Sequence, residues 1–209
     1  MTDIITIDGP SASGKTSVAK LVAQRLGVAY VSSGLLYRAV ALICLLENAG
    51  AEEVEGRLER YRLELIATPT ENQVWLDGRE VSAALHSLEV DAVVSAVAVR
   101  PRIRAFVNGV LRRVSPPFVI DGRDMGSTVF PQARHKFYLT ASPHIRARRR
   151  VPERGAAFDA VLADLTRRDE ADKAQSAPAK DAVILDTSGL DLDGVVAAVL
   201  EHLERDQPG

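Results

Sequence analysis

A chain of 209 residues with 46% hydrophobic content can bury one sizeable core, and a formal net charge of -2 supplies no general basic field for nucleic acid or an anionic membrane. The longest wholly apolar run, residues 39–46, is far too short to cross a bilayer, and the N-terminus lacks the basic start and apolar stretch of a signal peptide, so a soluble, cytoplasmic chain with small partners is expected. The single Cys44 cannot form an internal disulfide, and four scattered histidines show no metal-ligand spacing.

The apolar run at residues 4–7 reads as a buried strand. It leads into Gly9-Pro10-Ser11-Ala12-Ser13-Gly14-Lys15-Thr16-Ser17, after which Val18, Leu21, Val22 and Leu26 recur at helical spacing until Gly27. Strand, glycine-rich loop and helix in that order make a phosphate-binding loop. The glycines let backbone N–H groups point inward, and the helix adds the positive end of its dipole. Lys15 would then reach the β- and γ-phosphates of ATP, with the Thr16 hydroxyl on Mg²⁺.

Residues 28–31 give a second strand, so the chain begins as a parallel α/β sheet. The apolar stretch at 35–46 is predicted to be a deeply packed helix whose only early charge is Arg38, placed at the strand edge where such sheets bind ligands or else solvated on the outer face. Residues 52–62 read as a charged helical stretch. Alternation at 63–66 and 74–76, with Asp77-Gly78 as a hairpin turn, then breaks the parallel rhythm, so about 57–97 is predicted to be an insert with Trp75 in a small core of its own. Two helices follow at 88–99 and 101–114.

A third buried strand at 118–121 ends in Asp121, which can hold Mg²⁺ directly or through water. The glycine-bracketed turn Gly122-Arg123-Asp124-Met125-Gly126 follows at the strand's carboxyl end, a position that favours a ligand role over a structural ion pair. After a fourth strand at 135–140, Arg146, Arg149 and Arg150 fall at i, i+3 and i+4 of a helix, where like charges repel unless an anion sits against them. A helix at 158–175 places Arg168, Asp172 and Gln175 on one face, the first two as a possible i,i+4 ion pair. A fifth strand at 182–186 and an amphipathic helix at 195–203 close the chain.

The motifs Ile-Asp-Gly-Pro-Ser-x-x-Gly-Lys at 7–15, Ser-Gly-x-x-Tyr-Arg at 33–38, Asp-Gly-Arg-Asp-Met-Gly at 121–126, Arg-Ala-x-Arg-Arg at 146–150 and Arg-Asp-x-x-Asp at 168–172 together resemble bacterial cytidylate kinases, a family of nucleoside monophosphate kinases. The resemblance runs end to end. It implies a single domain, 1–209, with a five-stranded parallel P-loop sheet flanked by helices, an antiparallel acceptor-binding insert at about 57–97 and a short helical lid at about 146–157. It also implies transfer of the γ-phosphoryl group of ATP to CMP or dCMP, with Mg²⁺, by a monomer that needs neither nucleic acid nor membrane. Within that resemblance the 9–17 loop holds ATP, Thr16 and Asp121 serve the metal, and Lys15, Arg123, Arg146, Arg149 and Arg150 are catalytic. Ser33, Arg38 and Arg123 take the acceptor nucleotide, Ser95, Arg104 and Asp124 the cytosine, and Arg168 and Asp172 the ribose. A carboxylate at Asp124 suits cytosine, whose amino group donates where uracil offers a carbonyl.

Two positions depart from the family pattern, Ser32 where it usually has Asp and Gln175 where it usually has Arg. The rival readings are a P-loop kinase of another small acceptor, such as a sugar acid, and a regulatory P-loop GTPase. The second would need Asn-Lys-x-Asp, which does not occur.

Overall fold

The structure is a computed structural model and describes residues 3–155, 157–172 and 176–205. Strand β1 (Ile4–Asp8) passes through the glycine-rich loop into helix α1 (Lys15–Leu26), returns as β2 (Ala29–Ser32) and continues into helix α2 (Ser33–Leu46). Helix α3 (Ala51–Glu55) and a 3-10 turn at Leu58–Arg60 lead to strands β3 (Leu63–Ala67), β4 (Asn72–Leu76) and β5 (Arg79–Glu80). A second 3-10 turn at Ser82–His86 precedes helices α4 (Leu88–Ala98) and α5 (Pro101–Leu111). Then come strand β6 (Phe118–Gly122), a wide helical turn at Met125–Val129, strand β7 (His135–Thr140), helices α6 (Pro143–Arg154) and α7 (Phe158–Asp172), strand β8 (Val183–Asp186) and helix α8 (Leu192–Arg205). No helix among the described residues is long and apolar enough to cross a membrane.

The main sheet has the order β2-β6-β1-β7-β8, with every pairing parallel. Its inner strands are largely apolar on both faces because both are covered, whereas the edge strand β8 leaves Ile184 exposed. Ile5, Ile7 and Val119 pack with Val18 and Val22 of α1 and Val199 of α8, whereas Phe118 and Ile120 belong to the larger core with Leu36 and Ile43 of α2 and Ile103 and Val107 of α5. The carboxyl ends of β1, β6 and β2 lie side by side, with Asp8 opposite Gly122 and Ser32 opposite Asp121. The glycine-rich loop and the 122–126 turn therefore leave the same edge of the sheet, where parallel sheets bind ligands.

Strands β3, β4 and β5 form a separate antiparallel sheet. Asp77 and Gly78 both have positive φ, 50° and 79°, which matches the strong right-handed twist of a two-residue hairpin. Val74 and Leu76 supply the buried face of β4 and join the larger core with α2 and α5 instead of forming a small core of the insert's own, and Trp75, expected in such a core, lies half-buried on the opposite face between Glu64 and Glu80. The reason is the period of two along a strand, which cannot bury three successive residues on one face. This sheet docks on β2, where Tyr30 N donates to Thr68 O at 2.9 Å, Ser32 N to Asn72 Oδ1 at 2.9 Å and Asn72 Nδ2 to Tyr30 O at 2.9 Å.

The 52–62 stretch does not form one helix: α3 ends at Gly56, and Leu58 turns inward as part of the core. Helices α6 and α7 pack against each other around Ala147, Val161 and Leu165, a small core of their own. The described part of α7 ends at Asp172, and Gln175 lies outside the described residues.

Candidate active site

The glycine-rich loop is pressed against β7. Gly9 has φ 155°, and a Cβ there would sit 2.4 Å from the Leu139 carbonyl oxygen, so only glycine lets the chain pass. The loop then curls through Ala12 at φ 59° and Gly14 at φ 87° into the start of α1. Lys15 is half-buried with its charged end enclosed, and Nζ donates to Pro10 O at 3.0 Å. Burial, reinforced by the nearby Arg123 cation, pulls its ammonium down to about 8 against the opposing pull of Asp121, Asp8 and Asp172. An anion arriving in the loop would reverse that balance.

Thr16 Oγ1 donates to Asp121 Oδ2 at 2.6 Å, and Tyr30 OH donates to Asp121 Oδ1 at 3.0 Å. Asp121 is buried, and burial together with its charge pushes the Tyr30 phenol up, so tyrosine stays a donor to it. Ser33 Oγ donates to Asp121 O at 2.7 Å, tying the start of α2 to the end of β6. Hydroxyl and carboxylate oxygens side by side are hard donors, the set that suits Mg²⁺ completed by phosphate oxygens.

The turn after β6 joins the loop to the rest of the site. Arg123 reaches Asp172 of α7 at 2.5 Å and donates to Ser11 Oγ at 3.3 Å. Asp124 is buried and takes Arg104 Nη2 at 2.5 Å, while Arg104 also donates to Ala98 O at 3.2 Å and lies 5.7 Å over the Tyr37 ring. Arg38 is held by Asp91 at 2.5 Å and by Leu85 O at 2.9 Å. Ser95 stands exposed on α4. Arg168 pairs back to Asp164 at 3.1 Å rather than forward to Asp172, because Asp172 is taken by Arg123.

The three arm arginines do not share one solvent face. Arg146 is 2% exposed and turned inward, donating from Nε to Ala141 O at 2.9 Å, from Nη1 to Ser11 O at 2.9 Å and from both Nη groups to Asp169. The anion that relieves the charge at this position is thus a side chain of α7. Arg149 donates to Thr187 Oγ1 at 3.0 Å and to Thr187 O at 2.5 Å. Arg149 and Arg150 line a cleft of about 390 Å³ together with Ser11 to Val18 of the loop and the apolar side chains Leu190, Leu192 and Val195.

Sequence reasoning passed over Asp8, Tyr30 and Asp169. Asp8 is 5% exposed, with Met125 N donating to Oδ1 at 2.9 Å and Gly126 N to Oδ2 at 2.8 Å. The available signal was an acid closing an apolar strand just before the loop. Asp169 sits inside the Arg-Asp-x-x-Asp motif, and its partner Arg146 lies 23 residues upstream.

A family model described as cytidylate kinase matches residues 5–205. The chain belongs to the cytidylate kinase family. Its relatives by that name match over nearly their whole length. The one from Thermus thermophilus is 57% identical, covering 98% of this chain and 100% of that protein, and the one from Deinococcus radiodurans is 50% identical, covering 96% and 98%. A shikimate kinase structure from Bacteroides thetaiotaomicron shares the fold at a TM-score of 0.53, with 15% identity over 97% of this chain and 98% of that one. Against the cytidylate kinase pattern, the departure at Ser32 falls where β2 meets the insert, and the backbone N–H of Ser32 is bound by Asn72.

Proposed function

We propose that this chain transfers the γ-phosphoryl group of ATP to CMP or dCMP, with Mg²⁺, and releases the two diphosphates. The observation that carries the reading is the single edge at which Lys15, Thr16, Asp121 and Arg123 converge between the loop cleft and the Arg104–Asp124 pair. Support for the acceptor comes from the cytidylate kinases it resembles over their whole length.

Phosphoryl transfer asks a protein for alignment and charge neutralisation more than for covalent chemistry. The 9–17 loop offers its N–H groups to the ATP phosphates, and Leu190, Leu192 and Val195 form the apolar wall of the same cleft for the base. Thr16 and Asp121 would hold Mg²⁺, whose contribution is to offset the negative charge of the bridging phosphate oxygens. Lys15 gives up its bond to Pro10 O to reach the phosphates. Arg38 and Arg123, now spent on Asp91 and Asp172, exchange those partners for the acceptor phosphate, which frees Asp172 for the ribose, and Arg168 joins it there by leaving Asp164. Asp124, bound to Arg104, reads the cytosine amino group, and Ser95 of α4 is assigned to the same base by the family resemblance. Arg149 and Arg150 stand at the cleft mouth, where closure of the α6 arm brings their charge against the transferring group and keeps water out.

The test is ADP release over a panel of CMP, dCMP, UMP, GMP and shikimate with and without Mg²⁺. Metal-dependent turnover with CMP and dCMP far above the others is expected. Preferred turnover of shikimate or GMP, or, in a parallel phosphate-release assay, hydrolysis of GTP without an acceptor, would overturn the reading.

A further inference from the structure

Asp8 is a buried carboxylate to which the catalytic scheme gives no work. It closes β1, one residue before the loop, and its two oxygens accept from two successive backbone N–H groups, Met125 at 2.9 Å and Gly126 at 2.8 Å, all of them buried. Those two amides open the wide helical turn at Met125–Val129, immediately after Arg123 and Asp124. A two-oxygen acceptor fixes both the position and the tilt of that turn, since moving either amide breaks a charge-assisted hydrogen bond with no water to replace it. The backbone on the far side is equally constrained: a Cβ at Gly126 would lie 2.7 Å from Thr6 Oγ1 and 3.2 Å from the Lys136 side chain, so the turn sits flat on β1 and β7. Holding an anion at 5% exposure is costly, and burial with the neighbouring Asp124 pushes the Asp8 carboxyl up to about 6 despite the two N–H bonds and Lys15. A site that tolerates such a cost for packing alone would be filled as well by an apolar residue.

We infer that Asp8 is the specificity-positioning residue of the acceptor site: by clamping Met125 and Gly126 it sets where the Asp124 carboxylate and its partner Arg104 meet the acceptor base. The chain of contact is Asp8 to the 125–126 amides, through one residue of backbone to Asp124, and from Asp124 Oδ2 to Arg104 at 2.5 Å. Asp8 itself touches neither nucleotide. This inference rests on the reading of Asp124 as the base reader.

The experiment compares Asp8→Asn, Asp124→Asn and the double variant at saturating ATP, with kcat/KM for CMP and UMP and amide exchange at Met125 and Gly126 by NMR. Asn keeps the shape of Asp8 but turns an NH2 group toward one of the two amides. The CMP/UMP ratio should fall about tenfold in Asp8→Asn, the scale of one lost charged hydrogen bond. Exchange at residues 125 and 126 should accelerate, and the same change should move the ratio far less in the Asp124→Asn background, where the carboxylate it positions is gone. If Asp124→Asn collapses the ratio while Asp8→Asn leaves it in place, the positioning role is wrong and the base reading stands. If Asp124→Asn itself leaves the ratio in place, the base reading is wrong and takes this inference with it. Should Asp8→Asn fail to fold, Asp8→Glu keeps both acceptor oxygens and displaces the turn by one methylene. A lowered ratio supports the role and an unchanged one overturns it.

Discussion

Truncating Arg146 to alanine distinguishes a brace from a catalytic arginine. The guanidinium is 2% exposed and its donors go to the carbonyls of Ala141 and Ser11 and to the Asp169 carboxylate. Arg146→Ala would leave two carbonyls without donors and a carboxylate without its cation. Breaking a fully buried ion pair costs about 3–5 kcal/mol, but Asp169 keeps 27% of its side-chain surface, so water recovers part of that loss. A net destabilisation of about 3 kcal/mol is expected, which for a chain of this length lowers Tm by roughly 6–12 °C. Urea and thermal unfolding without nucleotide measure it. Kinetics well below the lowered Tm should show a raised KM for ATP, because Ser11 loses its anchor, and a kcat within about tenfold of the parent. Arg146→Lys should recover less than half of the stability, since an ammonium cannot serve Ala141, Ser11 and Asp169 together. A Tm unchanged within about 2 °C beside a kcat lowered more than about a hundredfold would refute the brace and return Arg146 to the transition state.

Lys15→Ala should lower kcat by a hundredfold or more with Tm nearly unchanged, as about 10²–10³ is typical for one lost charge-stabilising donor, and turnover near normal in that variant would rule out phosphate contact. Asp121→Asn should raise the Mg²⁺ concentration for half-maximal rate at least about tenfold, and an unaltered Mg²⁺ titration would place the metal elsewhere. Arg149→Ala should lower kcat far more than it raises the KM for CMP, whereas lost CMP affinity at normal kcat would move that arginine to the acceptor side. Because burial lifts Asp8 from the ordinary 3.8 to about 6, its contribution to stability is full below about 3.8 and falls by about 3 kcal/mol as pH rises through 6. Urea unfolding of the chain relative to Asp8→Asn should therefore lose that much between about pH 4 and 7, and a flat difference would show that Asp8 is not titrating in this window.

What could be read from the sequence was what neighbours in sequence decide. The order of strand, loop and helix from Ile4 to Leu26, the Asp77-Gly78 hairpin and the acid at the end of β6 each depend on periodicity or on one residue's backbone freedom, and those signals are local. The inward turn of Arg146 was not legible, because its partners Ser11, Ala141 and Asp169 come from three separate elements and helical spacing alone cannot say whether an anion waits on a neighbouring helix. The same holds for Asp172, which spacing paired with Arg168 and packing gave to Arg123. Asp8 was hidden for a different reason. At the end of an apolar strand an acid reads as the strand's last polar residue, and only the approach of Met125 and Gly126, 117 and 118 positions later, shows what it holds.

The side chain of Asn72 is bonded along β2, which is the outermost strand of the main sheet. An outermost strand with free N–H and C=O groups is a template for strand addition by another copy, and proteins that stay dispersed cover or disrupt such edges. Here one amide side chain and the Thr68 carbonyl occupy the backbone groups of Tyr30 and Ser32, so the insert doubles as a guard against self-association. Uncovering this edge would expose a strand to pairing with another copy, which ties the seat of the insert on β2 to colloidal stability.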